Sequence, residues 1–291
     1  LRLASGGSGI LQAGRPHPDL VNRLAREARD TARLFFDRCV GAFTYLPPID
    51  VTFPDFLRAL VTADRIASPE DDSFRTAIIE AFRRRGIYAG DAGSLSDQAV
   101  ALPSGGIDEE LPRVISDLWD LTARARGEFV PESAEELALR GRIFPALARW
   151  AKKNAGELGL EPHDAEKCPI SVRHANSTVR IDVDGQPQVV TVVQVVQKRL
   201  DLVDEEPGLG GIIPKAGATV VVDATGEVRY VIRKSLPAKA KTDHPRLAEL
   251  VSTVAHFDRT DPRAAYLPAP DNRMLVNFAL LHGNYTPAED E

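Results

Sequence analysis

The sequence predicts an α+β chain: an N-terminal α-helical part followed by a smaller α+β module with antiparallel hairpins. Before about residue 170, apolar residues recur at steps of three and four, the period of a helix face. Beyond it, β-branched runs take over, separated by turn residues. A hydrophobic content of 43% over 291 residues is enough to build one large core or two ordinary ones. The expected division is a helical region over residues 1–100, further helices and a linker over 101–170, and the α+β module over 171–291.

Residues 1–16 carry glycines and a proline and read as a loop. Residues 19–45 predict a long helix, with Leu20, Leu24, Ala28, Ala32, Phe35, Cys39 and Phe43 on one inward face. Pro47 and Pro48 stop it. Thr52 caps the next helix, Pro54 lies in its first turn, and the apolar side ends near Ala67. A third helix starts at Ser73, points Ala77, Ile78, Ala81 and Phe82 inward, and ends at Gly86 in the C′ position. Further helices are expected from Pro112 to Arg126 and from Pro145 to Ala155, with a capping box at Ser133 and Glu136. From Ser171 an Asp-Gly turn at residues 184 and 185 marks a hairpin, and the "ATGE" turn joins two more strands. Val228, Tyr230 and Ile232 alternate with Arg229, Val231 and Arg233. A short helix opens at Asp243 and Pro245, carrying Leu247, Leu250, Val251 and Val254, and the apolar "NRMLVNFALLHGNY" stretch ends as strand or helix.

The formal net charge of −6 argues against a general nucleic-acid binder. No run of eighteen apolar residues spans a membrane, and the first residues lack the pattern of a signal peptide. Two cysteines, Cys39 and Cys168, make no disulfide framework, so a reducing, cytoplasmic location is the default. Leu1 in place of Met, with Met274 the single methionine, points to a processed or truncated chain or an incomplete reading frame. The consecutive Arg83, Arg84 and Arg85 fan around the end of a helix, where cations favour its dipole, and do not form one phosphate patch. His17, between prolines, reads as a loop or helix-start residue. Cys168 and His174 are six apart with no second pair, short of the four ligands of a structural zinc site, and His163 and Asp164 raise the metal reading slightly because their loop could fold back on itself. A Cys/His nucleophile lacks a nameable orienting group. "SGGSGI" and "GLGGII" lack the P-loop ending. The acids of "SPEDDS" and "VDEEPG" read as solvated loops, and Lys198, Arg199, Arg229, Arg233 and Lys234 as charges on an exposed sheet face.

Residues 32–87 carry a particular spacing: Phe35, Phe36 and Arg38, then Tyr45 and Pro47, then Phe53, Leu57, Arg58, Ala59 and Ala63, then Ala81, Phe82, Gly86 and Ile87. It resembles the C-terminal helical part of the thermolysin-like metallopeptidases, the gluzincins. The string from "HPDLVNRLAREA" to "EAFRRRGIY" is also similar to bacterial proteins that join a gluzincin-like domain to an extra C-terminal region. A gluzincin binds zinc through a His-Glu-x-x-His helix with a further carboxylate from another helix. No His-Glu pair occurs in this chain, and in the family that motif precedes the helices matched here. The resemblance therefore implies a C-terminal portion that lacks the zinc-binding segment and is not catalytic on its own. No catalytic, cofactor-binding or metal-ligating residue carries over. Zinc is expected in the intact parent protein and no cofactor in this chain. The implied partners are the upstream peptidase segment of the same polypeptide and a peptide or protein, with no nucleic acid and no membrane. The alternative from the residues alone is a non-enzymatic binding protein with a helical domain and a β module.

Overall fold

The computed structural model describes residues 17–89, 92–105, 107, 111, 116, 134–181, 187–205, 213–236 and 246–248. The chain is mixed helix and antiparallel sheet. It divides into two compact units: residues 1–46 with 52–102, and residues 47–51 with 103–291. The expected helix at 112–126 apart from residue 116, Ser133 and the Glu136 side chain of the expected capping box, most of the helix from 243 and the C-terminal apolar stretch lie outside the described residues. No helix among the described residues is long and apolar enough to cross a membrane.

In the first unit, α1 spans Pro18–Ala42 and continues into a 3-10 turn, Phe43–Tyr45. His17 is its N-cap: its Nδ1 accepts the Asp19 N–H at 3.2 Å, and Pro18 occupies the first helical position. α2 is Phe53–Ala67, opened by a capping box. The Thr52 hydroxyl accepts the Asp55 N–H at 3.4 Å and the Asp55 carboxylate accepts the Thr52 N–H at 2.9 Å. α2 is the centre of this unit, buried from Leu57 through Asp64 except for Arg58. α3 is Ser73–Arg83 and α4 the short Asp97–Val100. Leu57, Val61, Ile79, Ala89, Val100 and Ala101 form the core between them, with Ile78 and Phe82 at its margin. Gly86 ends α3 at φ 71°. Its N–H bonds Arg83 O at 3.0 Å and the Ile87 N–H bonds Phe82 O at 3.1 Å, which is the Schellman pattern.

The inward face expected for α1 is corrected. Phe35 is 43% and Phe43 64% exposed, and within α1 only Ala42 is buried. The reason is length. α1, at about 1.5 Å per residue, is roughly 37 Å long and α2 roughly 22 Å, so α2 serves only one end of α1. That end is tight: a Cβ on Gly41 would stand 3.6 Å from the Ala63 Cβ.

In the second unit, four strands form a meander in the order β1-β2-β3-β4. They are β1 Ile170–Ile181, β2 Pro187–Lys198, β3 Lys215–Val222 and β4 Val228–Lys234, all antiparallel. α5 is Ala134–Lys153, and α6, Asp201–Glu205, follows β2. One face of the sheet buries Ala175, Val193, Val195, Ala218, Val220 and Val222 in a core with Ile143, Leu147, Trp150 and Leu158. That core is continuous across residue 170. The helix expected from Pro145 begins at Ala134, with Pro145 in its interior. A mid-helix proline removes one hydrogen bond and crowds the carbonyl four residues back. Here the buried stripe Ile143, Leu147, Trp150 and Ala151 runs across it, and packing outweighs propensity.

The other face of β3 carries Gly217, Thr219 and Val221. A Cβ on Gly217 would stand 2.7 Å from Pro48 Cγ and 3.0 Å from the Val195 carbonyl, so segment 47–51 lies directly on the strand there. The expected alternation in β4 is broken by a bulge in β4 itself, where Arg229 is the extra residue opposite the step from Val221 to Val222. Val228 pairs with Val222 and turns to the helix-side core with Val231, while Tyr230 and Ile232 oppose Val221 and Thr219 on the other face.

Candidate functional site

Four groupings of polar or exposed apolar side chains stand out, two in each unit. The first is a buried charge network in the helical unit. Asp64, 1% exposed, lies on α2. Its carboxylate accepts Arg38 Nε at 2.6 Å and Arg75 Nη1 at 2.9 Å. Arg75, 2% exposed, also donates to Asp97 at 3.1 Å and to the Ser68 and Pro69 carbonyls at 2.8 and 3.3 Å. Arg38 donates to Ser68 Oγ at 2.8 Å. Two guanidinium groups face two carboxylates, so charge and hydrogen bonding are balanced. With both oxygens of Asp64 held by cations, the network ties α1, α2 and α3 together.

The second grouping is on the surface of α1. Ala32, Phe36, Val40 and Phe43 follow at steps of four, four and three, and Phe36 is 65% exposed. Phe53, at the start of α2, is exposed as well. Phe35 and Phe43 meet Phe74 and Phe56 at ring centroid distances of 6.3 and 6.4 Å. Cys39, half-buried on the same helix, has its thiol pKa pushed up by burial.

The third grouping is the buried Arg199 and its neighbours in the sheet unit. Arg199 was expected on an exposed sheet face. It is instead fully buried and forks onto Asp201, Nε to Oδ1 at 2.9 Å and Nη2 to Oδ2 at 2.7 Å. The Cys168 thiol donates to Asp201 at 3.3 Å. Burial, then the hydrogen bond and charge of Asp201, raise the Cys168 pKa to about 11, so at neutral pH it is a thiol and not a nucleophile. The 163–168 loop does fold back, through a bridge between Asp164 and Cys168. His163, however, turns its Nδ1 to the Ile170 N–H at 3.1 Å, and His174 lies exposed on β1. Among the described residues, no three His, Cys, Asp or Glu side chains are grouped to hold a metal ion.

The fourth grouping is cationic. Lys198 and Lys215 are direct cross-strand partners on β2 and β3. Arg173 is the extra residue of a bulge in β1. Burial, then Arg173, push the Lys215 pKa down. Asp50 pulls the other way and Lys198 adds to the depression.

The three arginines at the end of α3 are engaged locally. Arg83 Nε and Arg84 Nε reach Glu80 at 2.6 and 2.8 Å, and Arg85 donates to the Ala81 carbonyl at 2.8 Å. The two hydrogen bonds hold the Glu80 carboxyl at about 2.

Comparison with protein-family models, curated proteins and solved structures finds no match. The residues behind the gluzincin resemblance nevertheless have definable roles. Arg38 binds Asp64, Ala59 and Ala63 are buried in α2, and Phe82, Gly86 and Ile87 are the C3, C′ and C″ positions of the Schellman motif. Sequence reasoning missed the buried network and the cationic group. Asp64 falls in helical register with Leu57, Leu60 and Val61, and that was the available signal for the first. The second depends on strand register.

Proposed function

We propose that this chain is the C-terminal portion of a gluzincin-like zinc metallopeptidase and is not catalytic by itself. On this reading the helical unit walls one side of the zinc cleft, and the sheet unit is an appended module. The observation that carries it is the exposed apolar stripe along α1 and the turn after it, Phe36, Val40 and Phe43, with Phe53 at the start of α2 exposed as well. Apolar surface grouped in this way marks a contact site, and a helix bearing His-Glu-x-x-His is the occupant the resemblance supplies. The zinc ligands and the general-base glutamate belong to that segment. A second reading, a non-enzymatic binding protein with a helical domain and a β module, is favoured by the Asp64 and Arg199 networks, whose charged groups are paired with one another.

The test is the gene sequence ahead of residue 1 and the polypeptide it encodes. The expected result is an upstream His-Glu-x-x-His segment, chelator-sensitive peptidase activity in the longer polypeptide, and none in this chain with added zinc. Cys39 supplies an independent readout: a maleimide should label it in this chain and be slowed in the longer one. A reading frame without the motif, or zinc-dependent peptidase activity in this chain alone, would overturn the reading.

A further inference from the structure

The cationic group on the sheet unit has a construction that the fold does not explain. Lys198 and Lys215 face each other across neighbouring strands, and like charges directly opposite destabilise a sheet. The register defines the face they occupy. Ala216 and Ala218 turn into the helix-side core, so Lys215 and its partner Lys198 point to the opposite face. On β1, Val172 pairs with Val195 and packs against the core, whereas His174 pairs with Gln194. The bulge between them sets Arg173 and His174 together against one partner residue, on the face of Lys198 and Lys215. Three adjacent strands therefore each place a cation on that face, and Arg173, about four residues along the register of β2 from Lys198, still acts electrostatically on Lys215.

Among the described residues, none of Arg173, Lys198 and Lys215 is in an ion pair. Asp50 acts on Lys215 but gives its carboxylate to Arg246. Asp50 is also a non-glycine residue at φ 45°, held in the left-handed region on segment 47–51, which lies over β3 at Gly217. Protection of an open sheet edge accounts for a charged, bulged β1. It does not account for Lys198 and Lys215 on the interior strands β2 and β3. Nor does the composition, since the chain is acidic overall at −6.

We propose that Arg173, Lys198 and Lys215 form a binding site for a dianionic phosphate group. The planar guanidinium supplies paired donors to two phosphate oxygens, and the two ammonium groups supply point charges. Bound phosphate relieves the repulsion between the lysines, so the cost of the bare site becomes affinity for the anion. This holds whether or not the peptidase reading of the helical unit does. Neither β1 nor β2 carries a Phe, Tyr or Trp on which a base would stack, so the phosphate of a small molecule or a modified side chain fits better than single-stranded nucleic acid.

The experiment is calorimetric titration of the whole chain with inorganic phosphate, sulfate and succinate at constant ionic strength, alongside thermal melts. The expected result is one saturable phosphate site, weakened at least tenfold in Lys215→Gln and in Arg173→Gln. Without phosphate, both variants should melt at or above the temperature of the parent, since each removes a repelling charge. That melt separates loss of a site from loss of the fold. Phosphoserine peptide, AMP and inorganic phosphate, compared under the same conditions, distinguish a modified side chain, a nucleotide and the free ion as the source. Absence of saturable binding, binding unchanged in either variant, or succinate bound as tightly as phosphate would overturn the proposal. Tighter binding of a single-stranded oligonucleotide than of any of the three would also do so.

Discussion

Asp64→Ala tests whether the helical unit depends on its buried charges. Asp64 stands between two guanidinium groups, and its side chain is 2% exposed. Its removal leaves Arg75, with a side chain 3% exposed, as a cation short of one carboxylate. Breaking a buried pair in this way costs about 3–5 kcal/mol, because the surviving charge remains desolvated. Arg75 keeps Asp97 and the Ser68 and Pro69 carbonyls, which places the expected loss near the lower end. Arg38 is less confined, at 15% exposed, and can turn its charge to solvent. A loss of about 3 kcal/mol is a large part of the 5–15 kcal/mol of an ordinary domain, and urea unfolding followed by helical ellipticity measures it. The double replacement Asp64→Leu with Arg75→Met removes both charges and keeps apolar volume. It should recover at least half of what Asp64→Leu alone loses. A loss below about 1 kcal/mol for Asp64→Ala, or no recovery in the double variant, would refute the assignment of α1–α2–α3 cohesion to this network.

Three further outcomes are expected. The Glu80 carboxyl should titrate by NMR at about 2, against 4.5 ordinarily, and move back up in Arg83→Gln with Arg84→Gln. Its folded pKa is the lower one, so its contribution to stability is complete above 4.5 and is lost as pH falls towards 2. Gly86→Ala should cost about 1 kcal/mol through backbone conformation, since φ is 71° and the added Cβ meets nothing within 4 Å. Gly217→Ala should cost more, about 1–3 kcal/mol, through collision with Pro48 and the Val195 carbonyl, and equal losses on denaturant unfolding would contradict the distinction. Cys168, at about 11 against 9.0, should alkylate about a hundredfold more slowly than an ordinary thiol at pH 8 on thiolate fraction alone. Its raised pKa adds stability below 9.0 that is lost as pH rises through 11, and rapid labelling in the folded state would contradict its burial.

The sequence carried most of the local structure where the cause is itself local. Thr52, Gly86 and the "ATGE" turn act within a few residues, and each ends or starts an element at the expected place. The failures have causes that are distant in the chain. Pro145 reads as a helix start until the buried stripe on both sides is known. Val228 reads as part of a strict alternation until pairing with β3 leaves Arg229 as an extra, bulged residue. Arg199 and Lys198 are neighbours of one type, yet one is sealed against Asp201 and the other opposes Lys215. No window of sequence separates those fates, because they depend on which face of β2 and its extension is covered by other segments.

The same distinction bears on the family resemblance. Phe82, Gly86 and Ile87 keep their spacing because a Schellman motif fixes a left-handed C′ residue between apolar C3 and C″ positions. Ala59 and Ala63 are small where a helix is buried, and Ala63 faces Gly41 at close range. Arg38 is paired because Asp64 is buried. Any three-helix arrangement of this geometry would select such residues, so they are informative about packing and carry little information about chemistry. Phe36 differs. It is 65% exposed, makes no cap and closes no core among the described residues. On the proposed reading, a covering surface would account for an aromatic residue of that spacing left in water. For that reason the peptidase reading rests on the α1 stripe, and protection of Cys39 by an upstream segment is a sharper test of it than further likeness among the buried positions.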